Sequence, residues 1–255
     1  MARRTIVTGS ASGIGRATAD LLRARGEQVT GVDLRDAEVR ADLGTRAGRR
    51  DALESLAAAH PGAGVDSVVA CAGIAAQRPA TVAVNYFGTT ALLAGLRPLL
   101  ARGTDPRAAL VASITVTSAL DEAIVAACLD GDEERAVARA AEAAPHEIYP
   151  SSKGALARWV RRTCLAPGWA DAGIPLNAVG PGVVRTPMTG GLFADPAMKA
   201  VMDEAIPMPL NGYAGPEAVA AALAWLTSPE NTHVTGQLLF VDGGAEVALR
   251  GEGPR

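Results

Sequence analysis

The stretch "TIVTGSASGIGRATADLLRARG", Thr5 to Gly26, decides the fold. Thr5 to Gly9 opens with β-branched residues, the composition of a short strand. From Gly15 onward apolar positions recur among charged ones with the period of an amphipathic helix. Between the two lies "TGSASGIG" (8–15), whose glycines at 9, 13 and 15 allow a tight turn and close approach to a pyrophosphate. Such a phosphate would sit at the positive end of the helix. A glycine-rich string alone is weak evidence; its place between an apolar strand and an amphipathic helix makes it much stronger.

Further β-type runs follow: "QVTGVD" (28–33), "VDSVVACAG" (65–73), "AALVAS" (108–113), "IPLNAVGPG" (174–182) and "QLLFVDGG" (237–244). Stretches of helical composition, such as "VNYFGTTALLAGLRPLL", separate most of them. Strand and helix in alternation imply parallel pairing with right-handed crossovers. Continuous apolar strands fit burial on both sides. The expected fold is therefore α/β: a doubly wound parallel sheet with helices on both faces, a Rossmann fold. No repeat, linker or composition break divides residues 1–255, so one domain is expected.

Asp33 ends the second run, eighteen residues beyond Gly15, where the adenosine ribose of a dinucleotide should lie. Its carboxylate can accept hydrogen bonds from the ribose hydroxyls, whereas a 2′-phosphate would meet like charge. NAD is expected rather than NADP, with Arg35 nearby softening the preference. Asp42 and Leu43 could contact the adenine rim.

Hydrophobic residues make up 49% and charged residues 20%, the balance of a globular chain. A net charge of -3 offers no basic excess for nucleic acid. The apolar run after "MARR" is too short for a signal peptide, and nothing approaches a membrane span. Cys71, Cys128 and Cys164 are far apart and show no metal-ligand spacing, so reduced thiols in a cytoplasmic protein are expected. His60, His146 and His233 are scattered, and no metal is expected.

"YPSSK" places Tyr149 and Lys153 four residues apart, on one face of a helix. Alone, the pair fits a half-buried aromatic with a snorkelling lysine. With the glycine loop and the strand-end Asp33 in this order, the sequence resembles the short-chain dehydrogenase/reductase family. "CAG" (71–73) looks like the family's Asn-Ala-Gly turn, with Cys71 in place of the usual Asn. "NYFG" (85–88) resembles its Asn-x-x-Gly helix motif, and Ser113 stands at its serine position. "PGVVRTP" (181–187) resembles the segment that grips the nicotinamide end, and "FVDGG" (240–244) matches the last strand. Within the family the likeness is to the bacterial 3α-hydroxysteroid dehydrogenase/carbonyl reductase group, carried by "VNYFG", the Cys in "CAG" and the acidic "LDGDEERA"; coniferyl-alcohol-type dehydrogenases are similar too.

The resemblance implies an NAD-dependent oxidoreductase that interconverts a secondary alcohol and a ketone. It assigns catalysis to Ser113, Tyr149, Lys153 and Asn85. Cofactor contacts fall on Gly9, Ser10, Ser12, Gly13, Ile14, Gly15, Asp33, Leu34, Asp42, Leu43, Cys71, Ala72, Gly73, Tyr149, Lys153, Pro181, Gly182, Val184 and Thr186. A free tyrosine, with a pKa of about 10, is a poor base near neutrality. The Lys153 ammonium is expected to draw that pKa down, letting Tyr149 take the proton of an alcohol and return it to a carbonyl. Lys153 would also hold the nicotinamide ribose, Ser113 the substrate oxygen, and Asn85 a water on the proton path. Small residues at 151, 152 and 154 would leave the cofactor room.

Two segments depart from simple alternation. Residues 117–148 read as two short helices around Asp130-Gly131, an insertion between Ser113 and Tyr149. If this hairpin covers a helical interface of the usual family tetramer, a homodimer results; a surface decoration is the plain alternative. Residues 187–212 occupy the substrate-lid position and carry four of the five methionines. Met188, Leu192, Phe193 and Met202 could wrap an apolar, steroid-like or aromatic substrate, with Thr115 as a further contact. An ordinary amphipathic helix fits the same pattern. Two other classes use such a scaffold: an epimerase or dehydratase, which usually needs a larger domain than the tail "AEVALRGEGPR", and a non-catalytic NAD-responsive binding protein, which needs no Tyr-Lys-Ser set.

Overall fold

The computed structural model describes residues 2–252; Met1 and residues 253–255, the end of the short tail, lie outside the described residues. Seven strands form one parallel sheet in the order β3-β2-β1-β4-β5-β6-β7. They are β1 (Arg4–Thr8), β2 (Gln28–Asp33), β3 (Val39–Arg40), β4 (Ser67–Ala70), β5 (Arg107–Val111), β6 (Leu176–Pro181) and β7 (Leu238–Val241). The doubly wound fold expected from the alternation is the fold observed. The two-residue β3 is the exception: it is too short to show a period, and pairs as Val32↔Val39 and Asp33↔Arg40.

Side chains alternate across the sheet because strand residues point to opposite faces. Ile6, Val68 and Leu110 face one core with Leu56, Leu92, Leu96 and Leu156. Val7, Val69, Ala109 and Val179 face the other with Ala19, Leu22, Val219 and Leu223. The first core is closed by α2 (Arg46–Ala59), by a helical run made of α3 (Ala80–Val82), a π-turn (Ala83–Gly88) and α4 (Thr89–Leu100), and by α7 (Pro145–Thr163). The second is closed by α1 (Gly13–Ala24) and α10 (Pro216–Leu226). Five of the sequence-assigned strands ran past their observed carboxyl ends, at residues 9, 71–73, 112–113, 182 and 242–244. There the chain leaves the ladder, and most of these residues become loops over the sheet's carboxyl edge. That edge, where strand order reverses between β1 and β4, is where open α/β sheets bind ligands.

The insertion folds as α5 (Glu122–Leu129) and α6 (Glu133–Glu142), joined at Gly131 with φ of 76°. Ile124, Val125, Ala127 and Cys128 are fully buried, so the hairpin is part of the core rather than a decoration. It is fastened to α7 at residues first read as making room for a cofactor. Ser151 Oγ accepts the Asp121 N–H at 2.8 Å, and a Cβ on Gly154 would come within 2.6 Å of Leu120. The small side chains of α7 therefore admit the insertion. Beyond β6, α8 (Gly190–Ala194) and α9 (Pro196–Ala205) have no buried residue, and α11 (Ala245–Arg250) follows β7.

Asp121 is the insertion's electrostatic pin. Its Oδ1 accepts the N–H groups of Ala123 and Ile124 as an N-cap, and its Oδ2 accepts from Arg139 at 2.6 and 2.9 Å. Burial pushes this carboxyl upward, but the hydrogen bonds from Arg139 and from the Ile124 and Ala123 amides, with the Arg139 charge, outweigh it and hold it below the usual carboxylate range. A group with a depressed folded pKa stabilises above its unfolded value and loses that contribution as pH falls through the folded one. Asp121→Ala should therefore cost about 2 kcal/mol in denaturant unfolding at pH 7, with the gap from wild type closing below about pH 4. A gap independent of pH would exclude the ion pair as its source.

Candidate active site

The cleft begins where β1 ends. Gly9, at φ of 68°, lies so close to the turn after β4 that a Cβ would sit 2.9 Å from the Ala72 nitrogen. A Cβ on Gly15 would lie 2.1 Å from the Gly9 carbonyl oxygen. Thr8 Oγ1 locks the approach by accepting the Ala72 N–H at 3.0 Å. The loop thus lies flat and opens the N-terminus of the twelve-residue α1 toward the cleft. Ser12, the N-cap of α1, makes no side-chain cap bond, so its hydroxyl and the first helical N–H groups face outward for an anion.

Gly9, Ser12, Gly13, Ile14 and Gly15 line one cleft with Asp33, Leu34, Asp42, Leu43, Cys71, Ala72, Gly73, Ser113, Tyr149, Lys153, Pro181, Gly182, Val184, Thr186 and Met188. Residues as far apart in sequence as 9 and 188 converge because every strand ends at the same edge. Asp33 Oδ2 accepts the Ala11 N–H at 3.1 Å and its Oδ1 the Leu34 N–H at 2.7 Å. The carboxylate is so held at the rim that its remaining lone pairs can meet a ribose diol. This cradle fits a dinucleotide, with the glycine loop for the pyrophosphate and Asp33 for the adenosine.

The structure adds Val32, Ala41, Ile74, Val84, Val111, Ala112, Pro187 and Thr189 to the lining. These are wall residues beside the motifs, with no chemical signal of their own except their place next to motif positions. Five expected contacts fall outside the lining. Ser10 is buried against β2, its Oγ where a Cβ on Gly31 would be 2.4 Å away. Thr115 Oγ1 is buried without a hydrogen-bond partner. Leu192, Phe193 and Met202 belong to α8 and α9, which stand off the cleft. Phe193 instead packs 5.2 Å from the Tyr213 ring, with the Arg185 guanidinium 5.1 Å from its centroid.

Asn85 lies beneath the cleft, not in its wall. Fully buried in the π-turn, it accepts the Ile74 N–H through Oδ1 at 2.8 Å and donates through Nδ2 to Ile74 O and Ser152 Oγ, both at 3.0 Å. Its side-chain amide ties the turn after β4 to the start of the Tyr-Lys helix.

Electrostatics at the floor also differ from expectation. Lys153 is buried; its Nζ donates to Val111 O at 2.8 Å and lies 5.8 Å from the Tyr149 ring centroid. Burial lowers the Lys153 ammonium to about 8, with Cys71 pulling slightly the other way. Burial raises the Tyr149 phenol above its ordinary value, opposed by a hydrogen bond from Ser113. In this geometry burial outweighs the Ser113 hydroxyl that favours the phenolate. Cys71 is pushed up to about 12 by burial, against a Thr18 hydrogen bond and the Lys153 charge, so it stays a thiol.

The depressed Lys153 makes a testable statement about stability. An unfolded chain keeps that proton up to about 10.5, while the folded chain releases it near 8, so between these values the unfolded state binds more protons and stability rises with pH. Lys153→Met should remove that rise and raise stability at pH 7 by about 2 kcal/mol, read from denaturant unfolding. A Met variant no more stable than wild type would mean that the buried ammonium is fully compensated.

Comparison with known proteins agrees with this geometry. A family model described as enoyl-(acyl carrier protein) reductase matches residues 135–246. A 3-alpha-hydroxysteroid dehydrogenase/carbonyl reductase of Comamonas testosteroni is 36% identical over 253 residues, covering 96% of this chain and 97% of its own. The crystal structure of a 3-alpha-hydroxysteroid dehydrogenase from Pseudomonas sp. B-0831, complexed with NADH, superposes with a TM-score of 0.90 at 39% identity, over 98% of this chain and 99% of that one. An aldohexose dehydrogenase of Thermoplasma acidophilum shares the fold, with a TM-score of 0.74 at 22% identity. The full-length likeness, together with the convergence of Ser113, Tyr149 and Lys153 beside the glycine loop, establishes that the chain belongs to the short-chain dehydrogenase/reductase family.

Proposed function

We propose that this protein is an NAD-dependent oxidoreductase that interconverts a secondary alcohol and a ketone on an apolar, steroid-like framework. One observation carries the chemistry: Ser113, Tyr149 and Lys153 share a cleft with a glycine loop and a rim carboxylate. The substrate class rests on the two hydroxysteroid dehydrogenases it resembles along nearly its whole length, and the choice of NAD on Asp33 and the NADH bound to the Pseudomonas relative.

The glycine loop and the N-terminus of α1 would hold the pyrophosphate, Asp33 and the Asp42–Leu43 rim the adenosine, and Pro181, Gly182, Val184 and Thr186 the nicotinamide half. The nicotinamide supplies the hydride chemistry when bound. The chain's own task is then to place a carbonyl oxygen between two hydroxyls and to move one proton. Tyr149 Oη is the acid: with its pKa raised by burial it is a protonated phenol at neutral pH, suited to reduction. In the oxidising direction the same oxygen must be a base, so that direction gains from alkaline conditions. Ser113 Oγ, which favours the phenolate and faces the same cleft, steadies the substrate oxygen as charge develops. Lys153 is the cation that both the ribose and the phenol would meet once its hydrogen bond to Val111 O is shared. Met188, half exposed at the mouth, is the apolar contact nearest the lid; closure of α8 and α9 would bring Leu192, Phe193 and Met202 toward the same substrate.

A homodimer in the cytoplasm completes the proposal. The hairpin α5–α6 packs on α7, the helix flanked by the usual tetramer surface, while Trp225 on α10 and Leu239 on the edge strand β7 leave apolar surface exposed at that edge of the sheet. All three cysteines are free, which suits a reducing compartment. Among the described residues no helix is long and apolar enough to cross a membrane.

Tyr149→Phe should lower kcat for ketone reduction by about 10²- to 10⁴-fold, followed as NADH consumption, while NADH affinity stays within about twofold. Wild-type-like turnover in that variant would sink the proposed acid. Light scattering should return twice the chain mass, and a mass of four chains would refute the assembly.

A further inference from the structure

The insertion touches the other end of the cleft from the one its assembly role concerns. Glu133 opens α6, and its Oε2 meets Arg49 Nη2 at 2.6 Å. Both side chains are largely shielded, with exposures of 15% and 7%. Arg49 belongs to α2 and points its second nitrogen, Nη1, at the Leu43 carbonyl oxygen at 3.2 Å. Leu43 and its neighbour Asp42 line the cleft on the adenosine side. Two polar contacts in series thus run from the insertion to the cofactor rim.

The rim has little other freedom. Asp42 Oδ1 accepts the Gly44 N–H at 2.9 Å, and Thr45 Oγ1 caps α2 through the Gly48 N–H at 3.0 Å. Gly48 lies against the Asp42 carbonyl, where a Cβ would be 2.1 Å away, and Gly88 of the π-turn lies against the Leu43 carbonyl oxygen, where a Cβ would be 2.9 Å away. Leu43 O is therefore clamped between the π-turn and Arg49. The Arg49 guanidinium is the side chain that hydrogen-bonds this carbonyl among the described residues. Without Glu133, Arg49 would keep a buried charge whose remaining hydrogen-bond partner is the Leu43 carbonyl dipole, and would swing toward solvent.

We propose that Glu133 is a positioning residue for the adenosine end of the cofactor cleft, acting through Arg49 on the Asp42–Leu43 rim. This rests on the dinucleotide reading given above. The insertion thereby couples cofactor affinity to its own docking. Arg46, which reaches the same Glu133 Oε2 at 3.3 Å, is mostly exposed and adds little.

The test compares dissociation constants of NADH and of reduced nicotinamide mononucleotide, which lacks the adenosine half, on the full-length protein. Glu133→Ala should weaken NADH by about tenfold, leave the mononucleotide unchanged, and leave kcat at saturating NADH unchanged. Glu133→Gln, which keeps the shape and removes the charge, should show a smaller loss of the same kind, and carries the comparison should the Ala variant fold poorly. Glu134→Ala, next door in the same helical turn but exposed, should change neither constant. Unaltered NADH binding in both Glu133 variants, or an equal loss for the two nucleotides, overturns the proposal while leaving the cofactor reading intact. A wild-type chain that bound neither nucleotide would overturn both.

Discussion

Gly9 and Gly15 are in van der Waals contact with backbone on the side where any other residue carries a Cβ, and the rest of the molecule's chemistry depends on that contact. It lets β1 turn into α1 without lifting off the sheet, so the helix N-terminus opens at the carboxyl edge beside the turn after β4. The Thr8 hydroxyl, accepting the Ala72 N–H, fixes the separation between the two neighbouring strand ends. A cleft exists at the β1/β4 reversal because these two turns diverge. Polar groups arriving there from later strands inherit their spacing from it.

The cleft floor concentrates a cost that the fold offsets elsewhere. Lys153 is buried with one neutral carbonyl as its hydrogen-bond partner, and Tyr149 is held in its protonated form by the same burial. Groups arranged against their own solvation are what acid–base catalysis requires. The surrounding structure over-determines their positions: Asn85 satisfies Ile74 on both backbone groups and reaches Ser152, which itself donates to the Tyr149 carbonyl at 2.7 Å. A fully satisfied buried network of this kind gives the floor one geometry rather than several.

The insertion is a departure from the simple strand–helix alternation of the scaffold. It is anchored to α7 by Asp121, Leu120 and Ser151, by Glu122 paired with Arg158 at 2.6 Å, and to α2 by Glu133. Arg158 and Glu122 are exposed enough that their pair adds little stability, whereas Asp121 and Glu133 are shielded. A segment gained between the serine and the tyrosine has thus become a brace for both the catalytic helix and the cofactor rim.

Local chemistry was enough to read six of the seven strands, their parallel pairing, the glycine loop, the rim Asp33, the two helices of the insertion and the turn at Gly131. Each rests on residue type and near-neighbour spacing: glycines at turns, β-branched runs, and apolar positions alternating with charged ones. Contacts set by how elements lie on one another could not be read that way. Periodicity showed that α9 was amphipathic but not that it would stand away from the cleft with Met202, or that Phe193 would turn to Tyr213 and Arg185. Small residues in α7 could admit a cofactor or a neighbouring helix, and only packing chose Leu120 and Asp121. Four-residue spacing put Lys153 beside Tyr149, yet burial depth, a property of the whole surrounding fold, decided that desolvation would dominate both groups and that the lysine would turn to Val111.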